Sequence, residues 1–199
     1  NTASIRRQLW TLLNFAMAAL NTPACDFGRP APDFSLPGTD GRLHTLASCC
    51  GKNGLLVAFI CNHCPYVQAI LDRLIRDASE LQQHGVGVVA ISSNDVSAYP
   101  EDAFPEMVRL AEDKHFPFPY LHDESQAVAR AYGAVCTPDF FGFDRSLGLQ
   151  YRGRLDASGR YPAAADMRRE LFEAMCAVAE SGHGPHEQWP SIGCSLKWK

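Results

Sequence analysis

Leu55-Leu56-Val57-Ala58-Phe59-Ile60 runs directly into Cys61-Asn62-His63-Cys64-Pro65, and this stretch decides the fold. An uninterrupted apolar run of this length reads as a central strand covered on both faces. Behind it, Val67, Ile70, Leu71, Leu74, Ile75, Ala78 and Leu81 recur at helical spacing as far as His84-Gly85, and Val86 to Ser92 supplies a second apolar strand. Strand, helix, strand makes a βαβ unit. The pentapeptide sits at the strand's C-terminal end and the helix's start, where open α/β sheets place their chemistry.

Two cysteines separated by two residues at a helix N-terminus can close a small disulfide ring. The free N–H groups and positive helix end stabilise the thiolate of the first, Cys61. Such a site lowers a thiol pKa from about 8.5 to somewhere between roughly 3.5 and 7.5. A protonated His63 would push Cys61 further toward thiolate and make it a better leaving group, favouring oxidising work. Pro65 suits the first helical turn, where its missing N–H has no acceptor to lose. The competing readings are half of a zinc site and two buried thiols. Zinc needs about four ligands, and no second C-x-x-C or H-x-x-x-H accompanies the first, so a redox dithiol without metal or other cofactor is expected.

Outward from this unit, Asp33–Leu36 and Arg42–Leu46 flank Pro37-Gly38-Thr39-Asp40-Gly41 as an N-terminal β-hairpin. A helix is expected from about Asp102 to Lys114, then an edge strand Phe118–Leu121 hemmed in by Pro117 and Pro119. Asp123 is placed to cap a helix ending near Tyr132, and Asp139–Phe143 with Gly148–Arg154 form a second hairpin. Met167, Leu171, Ala174, Met175 and Val178 mark the last long helix, and the Gly- and Pro-rich tail from Gly182 to Lys199 is expected to lie over the surface.

A chain of 199 residues is close to the size of a single domain and buries enough surface to need no disulfide or structural metal. Eight cysteines in that length fall well below the ~8–10% of short secreted disulfide scaffolds, so these thiols read as buried or catalytic. A net charge of −4 with no basic stripe argues against nucleic acid as a partner. No apolar run approaches the ~18 residues of a membrane span. Arg6-Arg7 followed by Leu9, Leu12, Leu13, Ala16, Met17 and Leu20 reads as an amphipathic helix or as part of a targeting segment. The helix is the reading adopted. It gives a helical extension over residues 1–24, a main domain over 25–199 and a cytoplasmic location, with export as the alternative if residues 1–24 derive from a targeting segment.

The motifs Phe59-Ile60-Cys61-Asn62-His63-Cys64-Pro65-Tyr66-Val67, Ile91-Ser92-Ser93-Asn94-Asp95, Gly133-Ala134-Val135-Cys136-Thr137-Pro138-Asp139-Phe140-Phe141 and Pro190-Ser191-Ile192-Gly193-Cys194-Ser195-Leu196-Lys197-Trp198-Lys199 together resemble the thioredoxin superfamily. Within it the chain is similar to the peroxiredoxin-like, AhpC/TSA-type redoxins over about residues 29–199. The resemblance implies an α/β thioredoxin-like fold, a central mixed sheet flanked by helices. It further implies a cis-proline, Pro138, facing the dithiol, with the Thr137 backbone left to pair with an extended substrate. Cys136 and Cys194 become candidate auxiliary thiols, whereas Cys25, Cys49, Cys50 and Cys176 fall outside the matching motifs.

Two departures bear on mechanism. The peroxidatic pattern P-x-x-x-T-x-x-C would end at Cys64, yet Val57 and Cys61 hold its proline and threonine positions. The aspartate that thioredoxins carry six residues before the first cysteine is Leu55. The expected function is a thiol–disulfide oxidoreductase with Cys61 as nucleophile and Cys64 as resolving thiol. It would act on a protein or small-molecule disulfide or thiol and draw on a separate electron donor or acceptor. A thiol-dependent peroxidase and a copper- or zinc-binding module are the alternatives.

Overall fold

A strand apolar at every position is stable only with a layer packed on each face, and the architecture supplies both. The computed structural model describes residues 19–199. In chain order the elements are β1 (Ala19–Asn21), β2 (Ser35–Pro37), β3 (Leu43–Thr45), α1 (Leu46–Cys49), β4 (Gly54–Phe59), α2 (Pro65–Gln83) and β5 (Val86–Ser92). A 3₁₀ turn over Pro100–Asp102 precedes α3 (Phe104–Asp113), followed by β6 (Tyr120–His122), α4 (Ala127–Tyr132), β7 (Cys136–Thr137) and β8 (Asp139–Phe143). Then come β9 (Leu149–Tyr151), α5 (Glu170–Ser181) and β10 (Ile192–Ser195).

The main sheet has the order β6-β5-β4-β8-β9. Its β4–β5 and β5–β6 pairs are parallel, and its β4–β8 and β8–β9 pairs are antiparallel. This is the mixed α/β architecture of the thioredoxin-like fold. Along β4, Leu56 and Ala58 pack into one cluster with Leu71 and Leu74 of α2 and Leu171 and Met175 of α5. Leu55, Val57 and Phe59 pack into the opposite cluster with Leu46 of α1 and Val128 and Tyr132 of α4. The alternation is what a pleated strand buried on both sides requires. On the second face the rings of Phe59, Tyr132 and Phe141 meet edge to face at centroid separations of 5.5–5.8 Å, a favoured aromatic geometry.

The N-terminal hairpin forms as β2 paired with β3. Thr45 then caps α1, its hydroxyl accepting from Ser48 N while the Ser48 hydroxyl accepts from Thr45 N, the reciprocal pairing of a capping box. Asp123 lies outside α4, whose N-cap is Gln126, but its carboxylate accepts from Ala129 N at 2.9 Å. It thus satisfies a first-turn donor from one turn away.

Four expectations are corrected. Met167 precedes the last helix, which starts at Glu170, and β9 ends at Tyr151, short of Arg154. The expected leading helix falls outside the described residues except at its end. There Leu20 lies in β1, a strand paired with β10, because the tail offers backbone donors and acceptors that a strand can satisfy. The tail itself is not a loose covering. β10 is the middle strand of a small sheet β1-β10-β7, and Cys194 and Leu196 are buried in the two cores. Gly193 has no room for a side chain, since a Cβ there would collide with the Thr137 carbonyl.

Candidate active site

β4 ends at Phe59, and the chain turns through Ile60–His63 into α2, with Cys64 as N-cap and Pro65 in the first turn. The structure brings Cys61, His63, Cys64, Thr137, Pro138 and Cys194 to this one place. Thr137 is the node. Its hydroxyl lies 3.3 Å from Cys61 Sγ, and its carbonyl oxygen lies 3.1 Å from Cys64 Sγ. The Thr137–Pro138 peptide bond is cis. Both sulfurs are shielded, with Cys61 1% and Cys64 0% exposed, while the neighbouring Asn62 and His63 are half-buried.

The thiols share their protons. Hydrogen bonds from Cys194 and from Cys61 hold the Cys64 sulfur well below the ordinary thiol value. The same contact with Cys64, reinforced by burial, pushes both Cys61 and Cys194 up. The three thiols therefore titrate as a set rather than one by one. When the set loses a proton while Cys64 stays protonated, the charge lies on Cys61. There the Thr137 hydroxyl can donate to it, and the Cys64 thiol can donate to the Thr137 carbonyl.

His63 is held by Asp102, a residue whose sequence context marks only a helix start. Its Nδ1 lies 2.6 Å from Asp102 Oδ2 and 4.0 Å from Cys61 Sγ, and its ring stacks on Tyr99 at 5.0 Å. The Asp102 hydrogen bond raises the His63 pKa. Burial pushes the Asp102 carboxyl up, but hydrogen bonds from His63 and Asn94 outweigh it and leave the carboxyl below its usual value. When protonated, the imidazole is neutralised by its own counter-ion, and Asp102 adds to the forces raising Cys61. The lowered Cys61 pKa expected from the helix end and His63 is thus corrected: Cys64, burial and Asp102 push it up.

Asp102 also shapes the loop. Oδ1 accepts from Asn62 N at 2.8 Å and His63 N at 3.2 Å, and Oδ2 accepts from Asn94 Nδ2 at 2.8 Å. Asn62 is fixed in turn by Tyr120, whose hydroxyl donates to Asn62 Oδ1 at 3.0 Å. The tail closes the ring, because Lys197 N donates to Asn94 Oδ1 at 3.0 Å. No sequence signal links Asp102 to His63 across a separation of 39 positions. Asn94 lay within a recognised motif without a role.

Cys61 Sγ, His63 Nδ1 and an Asp102 oxygen lie within 4.8 Å of one another. The Asp102 oxygens already accept the four donors above, which accounts for the grouping as a polar network. Cys136 is elsewhere. Its Sγ faces the Pro138 carbonyl at 3.5 Å, and burial raises its pKa. Asp139, beneath it, accepts from Val135 N at 3.0 Å and Arg152 Nη2 at 3.1 Å, bracing the segment that carries Thr137.

The His63–Asp102 pair gives stability a definite pH window. Asp102, lowered from 3.8, contributes fully above that value, and the contribution fades as pH falls through its depressed value. His63, raised from 6.5, contributes fully below that value, and the contribution is lost as pH rises through the raised one. Urea unfolding across pH should therefore show this contribution in full between 3.8 and 6.5 and declining on both sides. A wild-type-minus-Asp102→Asn difference that stays flat across pH excludes the pair as the source.

Fold and site together define a thioredoxin-fold redoxin with a paired-cysteine centre. The AhpC/TSA family model matches residues 27–154, and the chain belongs to that family. An uncharacterized conserved protein from Geobacillus kaustophilus is similar at 43% identity and a TM-score of 0.87, with 92% of this chain and 97% of that one covered. A hypothetical protein from Sinorhizobium meliloti is similar at 41% identity and a TM-score of 0.84, covering 90% and 98%. The thioredoxin domain of a thiol-disulfide oxidoreductase from Bacteroides vulgatus shares the fold at 16% identity and a TM-score of 0.54, covering 66% and 89%. No curated protein matches the chain in sequence. Among the described residues no helix is long and apolar enough to cross a membrane.

Proposed function

We propose that this protein is a thiol–disulfide oxidoreductase whose Cys61 and Cys64 cycle between dithiol and disulfide. The observation that carries the reading is the convergence of both sulfurs on Thr137, at 3.3 and 3.1 Å. One residue thereby supplies a donor for the Cys61 thiolate and an acceptor for the Cys64 thiol.

The Cys61 thiolate attacks one sulfur of a substrate disulfide, forming a mixed disulfide and expelling the first substrate thiolate. Cys64, losing its proton, then attacks Cys61 Sγ and expels the second. Two electrons pass from the dithiol to the substrate disulfide, and the two thiol protons end on the released thiolates. Run backwards, the same steps oxidise a substrate dithiol. Cys61 is assigned as the attacking thiol because it adjoins the half-buried Asn62 and His63, and Cys64 as the resolving thiol, its sulfur against the Thr137 carbonyl.

Equilibration in graded glutathione buffers, followed by alkylation and peptide mapping, tests the reading. A reversible Cys61–Cys64 bond is expected, and its midpoint gives the direction of work. If both cysteines stay reduced throughout, the reading fails. With Val57 and Cys61 in place of the proline and threonine of the peroxidatic pattern, hydrogen peroxide should be consumed no faster than by free cysteine. Faster consumption would make the chain a thiol peroxidase instead.

A further inference from the structure

The edge of Thr137 expected to meet a substrate strand is occupied by the protein's own tail. β10 pairs antiparallel with β7, placing Cys194 directly opposite Thr137 and Ser195 opposite Cys136. Residues directly opposite in an antiparallel pair project from the same face, and successive residues alternate. Cys194 therefore shares the face on which the Thr137 hydroxyl meets Cys61 Sγ at 3.3 Å. Cys136 belongs to the other face, its thiol turned toward the Pro138 carbonyl.

The packing agrees with the register. Cys61, Cys64 and Cys194 lie in one buried cluster, and Cys136 is not a member of it. Cys194 is 2% exposed. The strand is held in place from several sides. Thr22 N donates to the Ser191 carbonyl at 3.0 Å, the Ser191 hydroxyl donates to the Pro138 carbonyl at 2.7 Å, and Gln126 Nε2 donates to the Lys197 carbonyl at 2.8 Å. Of the remaining thiols, Cys25, Cys49 and Cys50 pack in or against the cluster on the opposite side of the sheet.

We propose that Cys194 is a third redox thiol of this centre, which exchanges with the Cys61–Cys64 disulfide to form a Cys64–Cys194 disulfide. The proposal rests on the reading of Cys61 and Cys64 as the redox dithiol. In the step, Cys194 gives up its proton and its thiolate attacks Cys64 Sγ. The Cys64–Cys194 bond forms as the Cys61–Cys64 bond breaks, and Cys61 leaves as a thiolate that takes up the proton Cys194 released. No electrons enter or leave, so no further oxidant or reductant is needed. The oxidised centre then stores its disulfide against the tail strand while Cys61 is free again beside the half-buried His63. The tail thus occupies the site of an extended substrate, and Cys194 plays the part of the substrate's sulfur.

The test is disulfide mapping of the full chain after oxidation by oxidised glutathione, acid quenching and alkylation. Wild type should yield two disulfides, Cys61–Cys64 as a loop within one peptide and Cys64–Cys194 as a linked peptide pair, with Cys136 alkylated as a free thiol in every form. Cys61→Ser should yield Cys64–Cys194 as its disulfide, and Cys194→Ala should yield Cys61–Cys64 alone. If Cys61→Ser carries glutathione on Cys64 with Cys194 free, while wild type forms only Cys61–Cys64, the third-thiol proposal is overturned and the dithiol reading stands. If wild type forms no Cys61–Cys64 bond, the dithiol reading falls and the exchange step with it. Should Cys61→Ser fail to fold, the wild-type map decides alone: absence of the Cys64–Cys194 pair across the glutathione series overturns the proposal.

Discussion

Cys64→Ser should arrest the centre after its first chemical step. Cys61 can still attack a disulfide, but no thiol stands at position 64 to attack Cys61 Sγ, so the mixed disulfide persists. Turnover of a chromogenic aromatic disulfide should fall by about 10⁴-fold, the scale seen when one member of a catalytic unit is removed, while a covalent adduct on Cys61 accumulates. Cys61→Ser should lose turnover to the same extent and leave no adduct at position 61. The contrast between the two variants is the informative part, because a general loss of folding would remove adduct and turnover together. Wild-type turnover by Cys64→Ser would mean that another sulfur resolves Cys61.

The second large effect is on stability. Asp102→Ala removes the acceptor for Asn62 N, His63 N, His63 Nδ1 and Asn94 Nδ2, at 2.8, 3.2, 2.6 and 2.8 Å. Asp102 is fully buried, and leaving buried donors or a buried cation without a partner costs about 1–3 kcal/mol per group and about 3–5 kcal/mol for a broken buried pair. Because His63 is partly open to water, a loss near the lower figure, about 3 kcal/mol, is expected for Asp102→Ala. The urea midpoint should move with little change in slope. Asp102→Asn, which keeps one acceptor oxygen, should lose less. An unchanged midpoint in Asp102→Ala would show that water satisfies these donors and that the carboxylate does not hold the loop.

The central unit was legible because its signals are local. The run Leu55–Ile60, the helical stripe from Val67 to Leu81 and the strand Val86–Ser92 each carry a period that needs no distant partner, and all three elements form as read. Cys61 and Cys64 were legible because the ring chemistry depends on a spacing of three. Asp102 was not, since its role arises across two loops. A carboxylate just before a helical stripe looks the same whether it caps that helix or reaches a histidine elsewhere. The tail misled for a related reason. Gly182–Lys199 has no helical period and many Gly and Pro residues, which describes a loose covering as well as it describes a short strand whose partners come from residues 19–21 and 136–137.

Local pattern alone carries the βαβ frame, the placement of a C-x-x-C pair at its strand-to-helix junction and the family to which the chain belongs. Periodicity and spacing are properties of neighbouring residues and survive without coordinates. Which distant groups act on the sulfurs follows from the folded chain alone. It set Thr137 between Cys61 and Cys64, tied His63 to Asp102, and chose Cys194 over Cys136 as the thiol beside the pair. That last choice turns on register: Cys194 lies opposite Thr137 and Ser195 opposite Cys136. A slip of one residue in an antiparallel pair would send the Cys194 side chain to the other face of the sheet.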